Sequence, residues 1–213
     1  MKKNEQSIIA DWEHEFSNLK QYKGGRKLLC RYGPIVYGIE LEKYLSSKYR
    51  PKFISLNLLS EYPEFSISRT LNTNSQSQVS VSYSHHSRDF DFVSELMKKQ
   101  AQIVILETLN PVQVLAQYKE EILKIRNDGA SPLAAWFAII QIALFYGQEA
   151  TAKREKEEIL EYIKSLPKES LAIFDNFYKF MGKELDVSVD CLRERRDKNL
   201  DITGFSSICE LGC

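Results

Sequence analysis

The sequence predicts an α+β protein. A mixed α/β sheet of about five strands occupies residues 1–108, and a bundle of about five helices occupies 109–196. Three observations carry this. Period-two runs are confined to the first half: Phe65, Ile67 and Leu71 alternate with Ser66, Ser68 and Thr70, and Val79, Val81 and Tyr83 alternate with Ser80, Ser82 and Ser84. After Leu109 the apolar residues recur at helical spacing instead. Finally, Ser131–Gly147 is apolar on every side except at Gln141, so as a helix it must be covered all round and forms the axle of the helical half.

The elements follow in order. Ile8, Ile9, Trp12, Phe16 and Leu19 fall on one face of a helix over 5–20, which Gly24-Gly25 ends. Residues 26–32 read as a short strand. Gly33-Pro34 reads as a helix start, because proline is tolerated at the first helical position, with Ile35, Val36, Ile39 and Leu45 as its inner face. Pro51 closes that helix, and Phe53–Leu59 is an apolar strand, so 26–59 reads as strand, helix, strand. The two alternating runs are strands joined by the polar loop 72–78. Asp89 caps a helix carrying Phe92, Val93, Leu96 and Met97. Gln102–Glu107 reads as a buried strand, and the order strand, helix, strand predicts parallel pairing with a right-handed crossover.

In the second half, Asn110-Pro111 caps a first helix marked by Val112, Leu115, Ile122 and Ile125. The axle is the second. The third, 149–165, has a charged outer face running from Lys153 through Glu155 to Glu158 and an apolar side of Ile159, Leu160 and Ile163. Leu171, Phe174, Phe177, Tyr178 and Met181 mark a fourth after Pro167. Leu185, Val189 and Leu192 mark a fifth, and 197–213 reads as a loose tail.

Composition limits the function classes. Formal net charge is zero; the first 108 residues hold 15 Lys+Arg against 12 Asp+Glu and the remainder 14 against 17. Neither half has the basic excess of a dedicated nucleic-acid binder, so nucleic acid is disfavoured as a partner. Acidic residues interrupt the first 15 positions before a signal-peptide core can form. The axle has roughly 15 residues where a membrane span needs about 20. Cys30, Cys191, Cys209 and Cys213 have no framework spacing and read as reduced thiols. A cytoplasmic protein is expected.

Lys119–Leu123 recurs as Lys156–Leu160, and Gly147 and Gly182 each follow an apolar helix. With Trp136, Gly147 and Ala152, this stretch resembles tetratricopeptide-like helical hairpins over residues 132–196. It departs from that family at Ile140, Ala143 and Ile159, and Pro167 comes late. The resemblance implies a concave surface for a protein or peptide.

No catalytic motif stands out. His85-His86 with Asp89 is the first candidate for metal or acid–base chemistry, but adjacent strand residues face opposite ways and no ligand spacing matches, so no metal or other cofactor is expected. Tyr32-Gly33 sits at the expected strand-to-helix junction, where free backbone N–H groups attract anions; it is the candidate ligand cradle, though the glycines of a phosphate loop are missing. Arg193, Arg195 and Arg196 form a basic cluster near the expected end of the last helix, where cations favour the helix dipole or meet an acidic partner. Tyr146, Tyr162, Phe177 and Tyr178 are candidate interface anchors, since aromatics are enriched at such positions. The reading that results is a non-enzymatic interaction or regulatory protein whose helical half binds another protein. The alternative is a small-ligand enzyme or sensor, its site at the strand ends of the first half.

Overall fold

A computed structural model describes residues 4–61, 65–73, 77–106, 110–127, 132–166 and 187–207. The protein is α+β, with an antiparallel sheet in the first half and helices through the second. The chain divides into two compact units. The sheet unit comprises Met1–Leu56, Phe65–Leu109 and Gly204–Cys213; the helical unit comprises Asn57–Glu64 and Asn110–Thr203.

In the sheet unit, α1 (Glu5–Glu15) starts at Asn4, whose side chain accepts from the Ser7 N–H, and buries Ile8, Ile9 and Trp12. The strands are β1 (Lys20–Gln21), β2 (Lys27–Tyr32), β3 (Ile35–Tyr44), β4 (Lys48–Asn57), β5 (Phe65–Thr70) and β6 (Val81–Ser82). Their order is β1-β2-β3-β4-β5, with β6 also on β4. Helix α2 (His86–Gln100) follows, then a 3₁₀ turn over Gln102–Ile105.

Residues 35–44 form a strand, not a helix: Tyr32 pairs with Ile35 across Gly33-Pro34, a two-residue hairpin turn whose first position is left-handed (φ 51°) as glycine allows. The β-branched and aromatic residues Ile35, Val36, Tyr37 and Ile39 are all buried in that strand. Pairing is antiparallel, with no crossover between the described strands; β2–β3, β4–β5 and β4–β6 all run antiparallel. Gln102–Ile105 is a helical turn and not a strand.

Pro51, read as a terminator, lies inside β4. It falls between the residues that pair with β6 (Lys48, Tyr49) and those that pair with β5 (Lys52–Leu56), where the strand changes partner. Gly38 is required by close approach: a Cβ there would lie 1.9 Å from the Leu28 carbonyl oxygen on β2. Asp89 is not the cap of α2 but sits in its first turn; His85 occupies the cap position without a capping hydrogen bond.

In the helical unit, α3 (Pro111–Asn127), α5 (Glu149–Lys164) and α6 (Val189–Thr203) pack against the apolar α4 (Leu133–Phe145). Helix α4 buries Leu133, Ala135, Trp136, Ala138, Ile139, Ile140, Gln141, Ile142 and Ala143. Its one polar residue, Gln141, accepts at 2.5 Å from Asn57, which in turn accepts from the Leu59 N–H. That satisfies a side chain that would otherwise be costly to bury. Helix α4 ends at Gly147 (φ 70°), with the Gln148 N–H on the Ala143 carbonyl and the Gly147 N–H on Leu144, a Schellman turn.

Helix α6 runs to Thr203, beyond the expected end at 196, so Asp197–Thr203 is not a loose tail. Asn199 is buried and donates to the Leu58 and Ser60 carbonyls, each at 2.8 Å. Phe205 is buried against Tyr22 within the sheet unit. The expected fourth helix, Pro167, Phe177, Tyr178, Cys209 and Cys213 lie outside the described residues. Among the described residues, no helix is long and apolar enough to cross a membrane.

Candidate functional site

Two polar centres stand out, one in each unit. The first is a buried chain of hydrogen bonds. The Trp12 indole N–H donates to the Tyr49 hydroxyl at 3.2 Å. Tyr49 Oη lies 2.8 Å from His86 Nδ1, and His86 Nε2 lies 2.9 Å from Asp11 Oδ2. An indole can only donate, so Tyr49 accepts from Trp12. The tautomer that uses every donor of the chain has the Tyr49 hydrogen on Nδ1 and the His86 proton on Nε2, toward the Asp11 carboxylate. Burial pushes the Tyr49 phenol well above its ordinary value, and the Trp12 hydrogen bond opposes this only in part. Aromatic neighbours complete the packing: Phe90 lies 4.9 Å from the His86 ring and 5.3 Å from Trp12.

Beside this chain lies a cleft of about 170 Å³ lined by Asp11, His14, Glu15, His86, Ser87 and Phe90. His86 is 1% exposed, and both of its ring nitrogens are engaged. Asp11 is the member of the chain that opens toward water. The chain therefore ties α1, β4 and α2 together, and neither ring nitrogen of His86 is left to take or give a proton to a bound molecule. His85 is exposed while its neighbour is buried. Asp89 forms a two-pronged pair with Arg88 at 2.7 and 3.2 Å, which holds its carboxyl below the usual range. His85, His86 and Asp89 thus serve three different environments. Tyr32 and Gly33 are not among the residues lining this cleft. They form the β2–β3 turn, so the expected helix N-terminus at that junction is absent, and Tyr32 is buried. Among the described residues, no group of three or more His, Cys, Asp or Glu side chains is placed to hold a metal ion.

The second centre is built on Glu155 of α5. The sequence places it on a charged outer face; the structure buries it, 1% exposed, on the same side as Ala152, Ile159 and Ile163. One carboxylate oxygen accepts from the Trp136 indole N–H at 3.2 Å. The other meets Lys119 at 2.5 Å and Arg154 at 3.3 Å. A carboxylate this deep needs such partners to stay charged. A cleft of about 170 Å³ opens over the group, lined by Lys119, Ile122, Leu123, Arg126, Trp136, Glu155 and Glu158. The Arg126 guanidinium lies over two rings at once, 5.7 Å from Trp136 and 5.3 Å from Tyr162, which themselves pack 5.4 Å apart. Leu123 and Val112 on the same helix are 58% and 66% exposed.

The remaining candidates separate. Tyr162 joins this second centre. Tyr146 sits at the α4–α5 turn with its ring edge-on to Phe145. The Arg193–Arg196 cluster is mid-helix, so the helix-end reading is corrected. Arg193 pairs with Asp190, Arg195 reaches the Leu59 carbonyl, and Arg196 pairs with Asp197 and lies over Phe145. Sequence reasoning missed Asp11, Tyr49, Glu155 and Arg126. Glu155 carried a readable signal, since it falls three residues after Ala152 and four before Ile159. The chain matches no known family model, no curated protein and no solved structure.

Proposed function

We propose that this protein is a non-catalytic binding protein and that the open face of α3 and its cleft with α5 form its binding surface. The observation that carries the reading is the exposure of Leu123 at the rim of a cleft that reaches down to Trp136, with Val112 exposed further along the same helix. A large apolar side chain left to water at the rim of a concave, aromatic-floored site suits an interface. Its size supports a side chain of a partner protein over a free cofactor, because pockets for drug-sized molecules span about 300–1,000 Å³. A helical scaffold of this kind is also what the tetratricopeptide-like resemblance of 132–196 implies. The proposal includes a cytoplasmic setting, on the scattered cysteines.

The test is affinity capture from the native cell extract with wild-type protein and with Leu123→Asp. The substitution is at an exposed position, so stability should move by no more than about 0.5 kcal/mol. A protein retained by the wild type and lost by an equally stable variant is the expected result. Capture that is indifferent to Leu123→Asp overturns the reading.

A further inference from the structure

We infer that the α3–α5 cleft docks an acidic peptide segment of a partner protein, with an apolar side chain seated between Leu123 and Trp136 and a carboxylate held by Arg126. This rests on the binding reading above and names the chemistry of the partner.

The charges around the cleft are unequal in what they have left to offer. Lys119 is held by Glu155 at 2.5 Å. Arg154 is shared between Glu155 at 3.3 Å and Glu158 at 3.9 Å. Arg126 is exposed and, among the described residues, has no carboxylate within ion-pair distance; its contacts are the faces of Trp136 and Tyr162. These ring contacts use none of its N–H donors, and among the described residues no hydrogen bond or ion pair engages them, so they are open to a ligand. A guanidinium held in this way loses little further freedom on grasping a carboxylate, which it does with two parallel hydrogen bonds. On the α5 side, Glu158 repels a second acid. The carboxylate of the partner is thus confined to the α3 side of the cleft.

The apolar half of the match is equally specific. The floor is Trp136 and Ile122, both buried, and the rim is Leu123. Val112 lies eleven positions earlier on α3, roughly 16 Å along the axis. A segment covering both Val112 and Leu123 has at least about five extended residues. Net charge of zero over the whole chain gives no general attraction to polyanions, so recognition is local to Arg126 and not a matter of phosphate density.

The experiment is a display selection with the purified full chain against random peptides of about twelve residues. Selected peptides are then titrated into wild-type, Arg126→Gln and Arg126→Lys protein. The expected result is enrichment of sequences that place Leu, Ile, Phe or Trp close to Asp or Glu. Binding should weaken at least about tenfold in Arg126→Gln and less in Arg126→Lys. The Trp136 indole N–H resonance should move on peptide addition while that of Trp12 stays. Should Arg126→Gln fail to fold, the same peptides with Asn or Gln in place of their acids, titrated into wild type, must show the same loss. Peptides that lack acids, or that bind Arg126→Gln as well as wild type, sink this inference and leave the binding reading standing. A selection with no enrichment sinks both.

Discussion

Each unit buries a tryptophan that donates its indole N–H to a polar group, but the two acceptors differ in kind. Trp12 donates to a neutral phenol, and the chain continues through an imidazole before it reaches a carboxylate at Asp11. Trp136 donates directly to the carboxylate of Glu155, which two cations neutralise. Most of the Trp12 chain can be buried because its carboxylate stands at the end, on the partly exposed Asp11. At Glu155 the carboxylate itself is buried, and it draws to it Lys119 and Arg154, both of which stay partly exposed. Each network borders a cleft of about 170 Å³, but the one in the helical unit has a tryptophan floor and the exposed Leu123 and Arg126 at its rim. The difference explains why His86, one of the pair that catches the eye in the sequence, builds structure, and why an inconspicuous glutamate lies at the base of the candidate surface.

The comparison can be broken most forcefully at Glu155. Replacing it with alanine leaves the Trp136 N–H without its acceptor and Lys119 and Arg154 without their counter-charge. Breaking a buried pair costs about 3–5 kcal/mol, and the partial exposure of Lys119 and Arg154 places Glu155→Ala near about 3 kcal/mol. Urea denaturation reads this directly. A loss below about 1 kcal/mol would mean that the carboxylate is not the hub described here.

The phenol gives the second contrast. Tyr49→Phe removes the acceptor of the Trp12 N–H and the donor to His86, for a loss of about 1–2 kcal/mol, smaller than at Glu155 because no charge is stranded. It also carries a pH signature. The folded phenol is held above its ordinary value, so the unfolded chain ionises first. Its contribution is whole below about pH 10 and is lost as pH rises beyond that. Wild type should thus lose stability more steeply than Tyr49→Phe above about pH 10. Parallel curves from urea melts across that range would show that Tyr49 is not shielded from water.

The axle of the helical unit was legible because a run with no polar face has one solution, burial, and α4 takes it. The helical face Ile8, Ile9, Trp12 and Phe16 was legible for the same reason of period. Strand β3 was misread because Ile35, Val36 and Ile39 also fit a helical face and Pro34 fits a helix start. The alternation Ile39-Glu40-Leu41-Glu42 and the two-residue Gly33-Pro34 turn were the cues that period-two reasoning needed. The Trp12–Tyr49–His86–Asp11 chain had no local signal, since Tyr49 is 37 residues from each of its partners in sequence and His86 is 75 from Asp11. Only the sheet topology brings them together. Arg126 was equally silent, because what marks it is the pair of rings beneath it and not its neighbours along the chain.

The smallest effect sharpens the comparison within the sheet unit itself. Two of the ties that hold helix α1 contrast: the buried chain at Asp11 and Trp12, and, at its start, the Glu5–Arg26 pair, which is partly exposed. The Arg26 hydrogen bond holds the Glu5 carboxyl below its usual value. A depressed carboxyl contributes above its unfolded pKa and is lost as pH falls through its folded one, so Glu5 helps at neutral pH and ceases to help in acid. Solvent screening limits the pair to about 0.5 kcal/mol. Glu5→Gln should therefore lower stability slightly at pH 7, and the gap from wild type should close as pH falls below the ordinary carboxylate range. Added salt should narrow it as well. A loss as large as that of Tyr49→Phe would reverse the ranking and make the surface pair, not the buried chain, the principal anchor of α1.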